Sequence, residues 1–394
     1  MQSYNYYKNA LTDIPKPCLF LDTELFEKNI QTILKASKGK KIRLASKSIR
    51  SISVIKKILN TSDTFQGVMC FSANEALYLN DNGLDDLLIA YPIWNSRDLK
   101  NIAERVANGQ TITLMIDSIE HIEHLERIAS EKKQAFLVCL DIDLSSDYPG
   151  LHFGVYRSPI KTTKQALKLL QRIVHSPYLK LDGIMGYEAQ IAGITDTSPN
   201  TRVKNKIIKR LKKLSSKELM KKREKIIRLI LKKNIHLRFI NGGGTGSLHQ
   251  TVKENVTEVT VGSGFFHSHL FDNYENYTNH PALAYAIEIT RKPAKHIYTC
   301  LGGGYIASGA MGDDRLPIVH LPKGAKLIKN EGAGEVQTPV IYKGKTPLSL
   351  GDPIIMRHSK AGELTEHFHH IYLLEGGKVI DKYKTYRGDF QCFL

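Results

Sequence analysis

The sequence predicts an α/β protein: a (β/α)8 barrel followed by a C-terminal β-rich domain. Three observations predict it. Eight short apolar runs between residues 42 and 261 alternate with helical patterns, as strands buried on both faces do. From about Ala284 the alternation stops, and strand-like runs follow one another across turn signals such as E-G-G-K and Y-K-G-K. A chain of 394 residues also exceeds the size at which a single core stops growing.

Taken in order, a polar N-terminal arm leads to C-L-F-L-D at Cys18 to Asp22, a strand, and then to an amphipathic helix through Leu34. The barrel strands expected next are Ile42 to Ser46, Gly67 to Ser72, Leu87 to Pro92 and Ile112 to Ser118. Ala135 to Asp143, Leu181 to Tyr187, Ile235 to Asn241 and Glu258 to Val261 complete the set. The β-rich part follows with Ala284 to Thr290, His296 to Leu301, Ile318 to Leu321, Pro339 to Tyr342, Pro353 to His358, Ile371 to Leu374 and Lys378 to Tyr383. The boundary near Asn279 to Ala282 divides the chain into a barrel with its arm, residues 1–281, and a β domain, residues 282–394.

Composition narrows the function classes. No apolar run approaches a membrane span and Met1 to Lys16 is too polar for a signal peptide, so a cytoplasmic protein with no membrane partner is expected. Five scattered cysteines without a C-x-x-C pair read as reduced thiols. The net charge of +17 invites nucleic acid, yet much of the excess lies between Lys204 and Lys233. There Ile207, Ile208, Leu211, Leu214, Ile226, Ile227, Ile230 and Leu231 keep an apolar helical stripe. One or two helices with a solvated basic face account for that segment, and no aromatic side chains interleave as a nucleic-acid surface would require.

The chemistry is expected where strands end. Lys47 follows the first run in K-K-I-R-L-A-S-K-S-I-R, and Ile52, Ile55, Ile58 and Leu59 behind it keep helical spacing. In a barrel this is the catalytic rim, where a desolvated lysine can form a Schiff base with a carbonyl. Two glycine-rich turns, N-G-G-G-T-G-S from Asn241 to Ser247 and G-S-G from Gly262 to Gly264, follow the seventh and eighth runs. Glycines let a backbone curl its N–H groups around an anion, and in barrels these two loops are the habitual phosphate site. A phosphorylated aldehyde satisfies both the amine and the cradle, and pyridoxal 5′-phosphate is the obvious one.

At this point the chain resembles a known family. P-K-P-C-L-F-L-D at Pro15 to Asp22, A-S-K-S at Ala45 to Ser48, G-Y-E at Gly186 to Glu188, N-G-G-G-T-G and E-V-T-V-G-S-G are similar to fold-type III pyridoxal-phosphate enzymes. The resemblance is to the D-threonine aldolase, D-serine dehydratase and amino acid deaminase/aldolase branch, in which an alanine-racemase-like barrel carries a β domain. It implies that Lys47 bonds the cofactor aldehyde and that Gly243, Gly244, Thr245, Gly262 and Ser263 hold its phosphate. Arg157, Tyr187 and Gln190 would line its ring. It implies a homodimer, and a lyase acting on a small amino acid, D-configured and bearing a β-hydroxyl, by deamination or aldol cleavage. Racemisation is the alternative; it needs a second acid/base opposite Lys47, for which Tyr305 is a loose candidate.

One departure stands out. The branch carries a divalent metal on the β domain, bound by His-x-Cys or His-x-Asp. The matching run here, M-R-H-S-K-A-G-E, offers His358 but places Lys360 where the second ligand belongs. An ammonium group cannot ligate and repels a cation. No metal is therefore expected. Lys360 is expected to take over the metal's electrostatic task on a substrate hydroxyl or carboxylate, with Glu363 as a polar neighbour.

Overall fold

The computed structural model describes residues 2–199, 201–310 and 312–394. Eight parallel strands close into a barrel: Lys41–Ala45, Phe65–Cys70, Leu87–Ile89, Ile112–Ile116, Phe136–Asp143, Leu179–Tyr187, Phe239–Gly242 and Glu258–Val261. The eighth strand pairs with the first, Val259 opposite Ile42, which closes the ring. Every run expected to be a barrel strand is one, because both of its faces are covered and the apolar signal is continuous. The third and seventh are shorter than read: the third ends at Ile89, and Ile235 and Leu237 precede the seventh's pairing, which starts at Phe239.

The second sheet has nine strands. Eight come from the C-terminal region, and the ninth is Cys18–Asp22, which runs antiparallel to Leu283–Ala294 and parallel to His370–Glu375. Its five residues are all buried. The chain therefore starts in the β sheet, enters the barrel and returns. Asp22 marks the passage, since its carboxylate accepts from the Leu25 amide at 3.0 Å to cap helix Thr23–Ala36 and from the Tyr7 hydroxyl at 2.8 Å.

The basic segment forms one helix, Arg202–Leu231. Its inward face differs from the expected apolar stripe: Ile207, Leu214 and Leu231 are exposed, while Lys212, Ser215, Leu219, Arg223, Ile226, Ile227 and Ile230 are buried. Two charges sit in that seam because each meets a carboxylate, Lys212 with Asp196 at 2.8 Å and Arg223 with both Glu188 and Glu254. Among the described residues no helix is long and apolar enough to cross a membrane. The five cysteines are free thiols, Cys392 exposed and the other four buried.

Candidate active site

The first barrel strand ends in a tight turn, Ser46–Ser48, that is buried except for Lys47. The turn is gripped from two sides. A Cβ on Gly262, after the eighth strand, would lie 2.9 Å from Ala45 Cβ and 3.0 Å from Ser48 Cβ. On the other side, a Cβ on Gly362 of the β domain would collide with the Lys47 carbonyl. The β domain also supplies Glu366, bonded to Arg50 at 2.6 Å, and the Tyr386 amide, which donates to the Arg50 carbonyl at 2.9 Å. Beneath the turn, Glu75 is buried and accepts from the Tyr386 hydroxyl at 2.9 Å; burial pushes its carboxyl up to about 7.

Lys47 opens into a cavity of about 400 Å³ at the C-terminal mouth of the barrel. Gly243, Gly244, Thr245, Gly262 and Ser263 line the same cavity, as do Arg157 and Tyr187. The amine and both glycine turns, far apart in sequence, thus share one opening. The cradle is fitted closely: a Cβ on Gly244 would approach the Tyr187 ring to 2.9 Å. The Gly243 amide does not point at the cavity, for it donates to Glu188 Oε2 at 2.8 Å, and the Gly244 amide donates to Ser247 Oγ at 3.0 Å. Hydroxyls of Thr245, Ser263 and Ser48 remain along the wall, Ser263 Oγ lying 3.1 Å from Ser48 Oγ. The volume, the amine and this glycine-walled, hydroxyl-lined end fit a phosphorylated aldehyde the size of pyridoxal 5′-phosphate.

Arg157 Nε donates to Asp141 Oδ2 at 2.6 Å and its NH2 group to the Ala90 carbonyl at 2.7 Å, which holds the guanidinium over the Tyr91 ring. The charge of Lys47, and after it that of Arg157, holds the Tyr91 hydroxyl below its usual pKa. Burial raises the Tyr187 hydroxyl to about 12, with the Glu188 carboxylate adding to the rise. Burial likewise pushes Asp141 up to about 6, against the pull of Arg157. Asp141 in the folded protein therefore gains its proton as pH falls through about 6, and its ion pair with Arg157 weakens there. Pyridoxal 5′-phosphate affinity, followed by absorbance between pH 5 and 8, should fall with an inflection near 6 that disappears in Asp141→Asn.

Two expected positions lie away from the mouth, and a third lines a neighbouring cavity. Gln190 does not reach the cavity: it falls in the short helix Ala189–Ala192, is buried, and donates to the Leu144 carbonyl at 2.7 Å and Ser215 Oγ at 2.8 Å. A turn of helix beginning at Ala189 rotates it away from the strand-end direction that Tyr187 keeps. Tyr305 packs against Tyr285, His367 and Phe368 and lines neither cavity at the mouth. Lys360 lines an outer cavity of about 500 Å³ that shares Lys47, Ser48, Tyr187 and Ser263 with the inner one. Its ammonium donates to the Ser308 carbonyl at 2.8 Å and to Glu363 Oε1 at 3.0 Å.

A divalent ion does not suit the residues beside it. His358 is buried with both ring nitrogens lacking a hydrogen-bond partner, and burial, then Arg357, keeps its pKa well below the usual value. One neutral imidazole is a start, but the neighbouring position is an ammonium already paired to a carboxylate. In the nearby run Glu366 to His370, Glu366 is committed to Arg50 and Arg387, and His367 packs on Tyr305. Among the described residues no three His, Cys, Asp or Glu side chains are grouped to hold a metal.

Residues not singled out in the sequence complete the site. Tyr91 and Phe71 line the cavity, and both stand at the ends of runs already read as strands. Asp141 anchors Arg157 from the fifth strand, and Arg223 locks Glu188 from outside the barrel.

The fold and site define a class: a (β/α)8 barrel bearing one lysine and two glycine turns at its mouth, embraced by a β domain that contributes to the outer wall. The alanine racemase N-terminal domain model matches residues 21–267, and the chain belongs to that family. It is 21% identical over 258 residues to a 3-hydroxy-D-aspartate aldolase of Paracoccus denitrificans, covering 65% of this chain and 61% of that protein. D-threonine aldolase from Filomicrobium marinum superposes with a TM-score of 0.80 at 17% identity over 95% of each chain. D-threo-3-hydroxyaspartate dehydratase from Delftia sp. HT23 gives 0.76 at 16% identity over 95% of this chain and 98% of its own.

Proposed function

We propose that this protein is a pyridoxal 5′-phosphate-dependent lyase that deaminates or cleaves a small β-hydroxy amino acid of D configuration. The observation that carries the reading is the shared cavity of Lys47, Gly244, Thr245, Gly262 and Ser263. The aldolase and dehydratase names of its relatives support the reaction class. When bound, the cofactor supplies an electron sink for charge developing at the substrate α-carbon. Lys47 would hold its aldehyde carbon and, as a free amine, is the base placed to take or return a proton at the substrate α-carbon or β-hydroxyl. Thr245 and Ser263 would hold the phosphate, while Arg157 and Tyr187 would flank the ring. The Lys360 ammonium, held by Glu363 and the Ser308 carbonyl, would face the substrate's oxygen atoms from the outer cavity, a task for which no metal is needed. The reading includes a homodimer, in which a second copy would cover Tyr156, which lines the cavity and is 89% exposed.

The purified protein, supplied with pyridoxal 5′-phosphate, should release ammonia or an aldehyde from D-serine, D-threonine or 3-hydroxy-D-aspartate and not from the L forms. EDTA should leave the rate within about twofold, since the outer wall presents an ammonium group in place of a second ligand. Racemisation of the recovered substrate in D₂O, with deuterium at the α-carbon and no ammonia or aldehyde, would replace the lyase reading by a racemase. A rate restored only by Mn²⁺ or Zn²⁺ would return the metal to the β domain.

A further inference from the structure

The outer cavity holds a charge that the proposed chemistry leaves without a task. Four cations line it, Lys47, Arg50, Arg315 and Lys360, against two carboxylates, Asp314 and Glu363. Arg50 is paired to Glu366 at 2.6 Å and Lys360 to Glu363 at 3.0 Å. Arg315 is paired only loosely: its one ion pair among the described residues, with its sequence neighbour Asp314, is 3.7 Å long, and among those residues its buried Nε finds no hydrogen-bond partner. A guanidinium that is 23% exposed has given up much of its water, and that loss is recovered when an anion arrives.

The loop that carries Arg315 is held in place. Its backbone carbonyl accepts from the Ala307 amide at 2.9 Å, and its amide donates to the Gly312 carbonyl at 3.0 Å. Ser359 donates to the Asp314 carbonyl at 2.7 Å, and His269 Nε2 lies 2.8 Å from the Leu316 carbonyl. Glu363 accepts from the Ser308 amide at 2.6 Å, and its neighbour Lys360 faces the same cavity. On the barrel side the cavity is walled by Tyr274, whose hydroxyl donates to the Ala192 carbonyl at 2.8 Å, and Ala192 also lines the inner cavity. A fixed guanidinium with only a long ion pair to Asp314 therefore faces the space into which Lys47 projects.

We propose that Arg315 seats the carboxylate of the amino-acid substrate. This rests on the lyase reading above. The planar fork matches a carboxylate with two parallel N–H donors, a geometry that lysine cannot copy. Arg315 is then a specificity residue: it admits α-amino acids and discriminates against amines of the same side chain. It acts on binding equally before and during reaction, so its loss raises KM and leaves kcat nearly unchanged.

The test compares D-threonine with its decarboxylated counterpart, 1-amino-2-propanol, each titrated against the visible absorption of the lysine-bound cofactor. Arg315→Gln should weaken D-threonine about a hundredfold while the amine stays within about twofold. Arg315→Lys, which keeps the charge and the packing, should recover part of that loss and reports in its place should the glutamine variant misfold. Equal weakening of both compounds, or no weakening of either, overturns the assignment. A wild-type protein whose absorption responds to neither compound overturns the lyase reading and this assignment together, whereas a normal wild-type response unmoved by Arg315→Gln overturns the carboxylate seat alone.

Discussion

Lys47→Ala is expected to abolish the visible absorption that pyridoxal 5′-phosphate acquires on a protein lysine, and to lower amino-acid turnover by at least about a thousandfold. The alanine removes both the covalent attachment and the base. Stability should barely change, because Lys47 is the exposed residue of a turn whose shape is held by Gly262, Gly362 and Arg50. The Arg50 guanidinium donates to the Lys47 carbonyl at 3.1 Å, a contact with the backbone that survives loss of the side chain. Lys47→Arg separates charge from chemistry: it retains the cation beside Tyr91 and should be as inactive as the alanine variant. An active Lys47→Arg protein would mean that a different amine bonds the cofactor.

Arg223→Met is expected to be the most destabilising single change near the site. Arg223 is 3% exposed, as is the Glu254 side chain, and Glu188 is fully buried. Removing the guanidinium leaves two buried carboxylates without a counter-charge, a loss of roughly 3–5 kcal/mol. The effect should extend to the cofactor, since Glu188 Oε2 holds the Gly243 amide and accepts from Ser247 Oγ at 3.3 Å. With Glu188 freed, the glycine turn loses the contact that sets its curvature, and pyridoxal 5′-phosphate should bind at least about tenfold more weakly in equilibrium dialysis. Adding Glu188→Gln and Glu254→Gln to Arg223→Met should restore much of the thermal stability by removing the unpaired charges, without restoring cofactor affinity. Recovery of affinity in the triple variant would show that the network stabilises the fold without shaping the turn.

The fold was legible because barrel strands are covered on both faces and write uninterrupted apolar runs into the sequence. Partnership was less so. Cys18–Asp22 reads as a strand, but nothing in four apolar residues and an aspartate announces that their neighbours are Leu283–Ala294 and His370–Glu375, more than two hundred residues away. The site was legible wherever a residue type has one use at a strand end, as for Lys47 and the glycine turns. It failed where local geometry decides: Gln190 follows Tyr187 by three positions, yet a helix between them points it at Ser215. Arg223 was submerged in a lysine-rich helix, where one buried guanidinium and a dozen solvated charges have the same appearance in sequence. Arg315 acquires meaning only when its loop is folded against Ser359 and His269.

The central claim is that one amine and two glycine turns meet on a single cofactor. Reduction of the pyridoxal 5′-phosphate-loaded protein with borohydride, followed by peptide mass spectrometry, reads out that meeting directly. A phosphopyridoxyl group on Lys47, at one per chain and lost in Lys47→Ala, is the predicted result. A group carried by Lys360 or by the lysines of helix Arg202–Leu231, or no stable group at all, would contradict it.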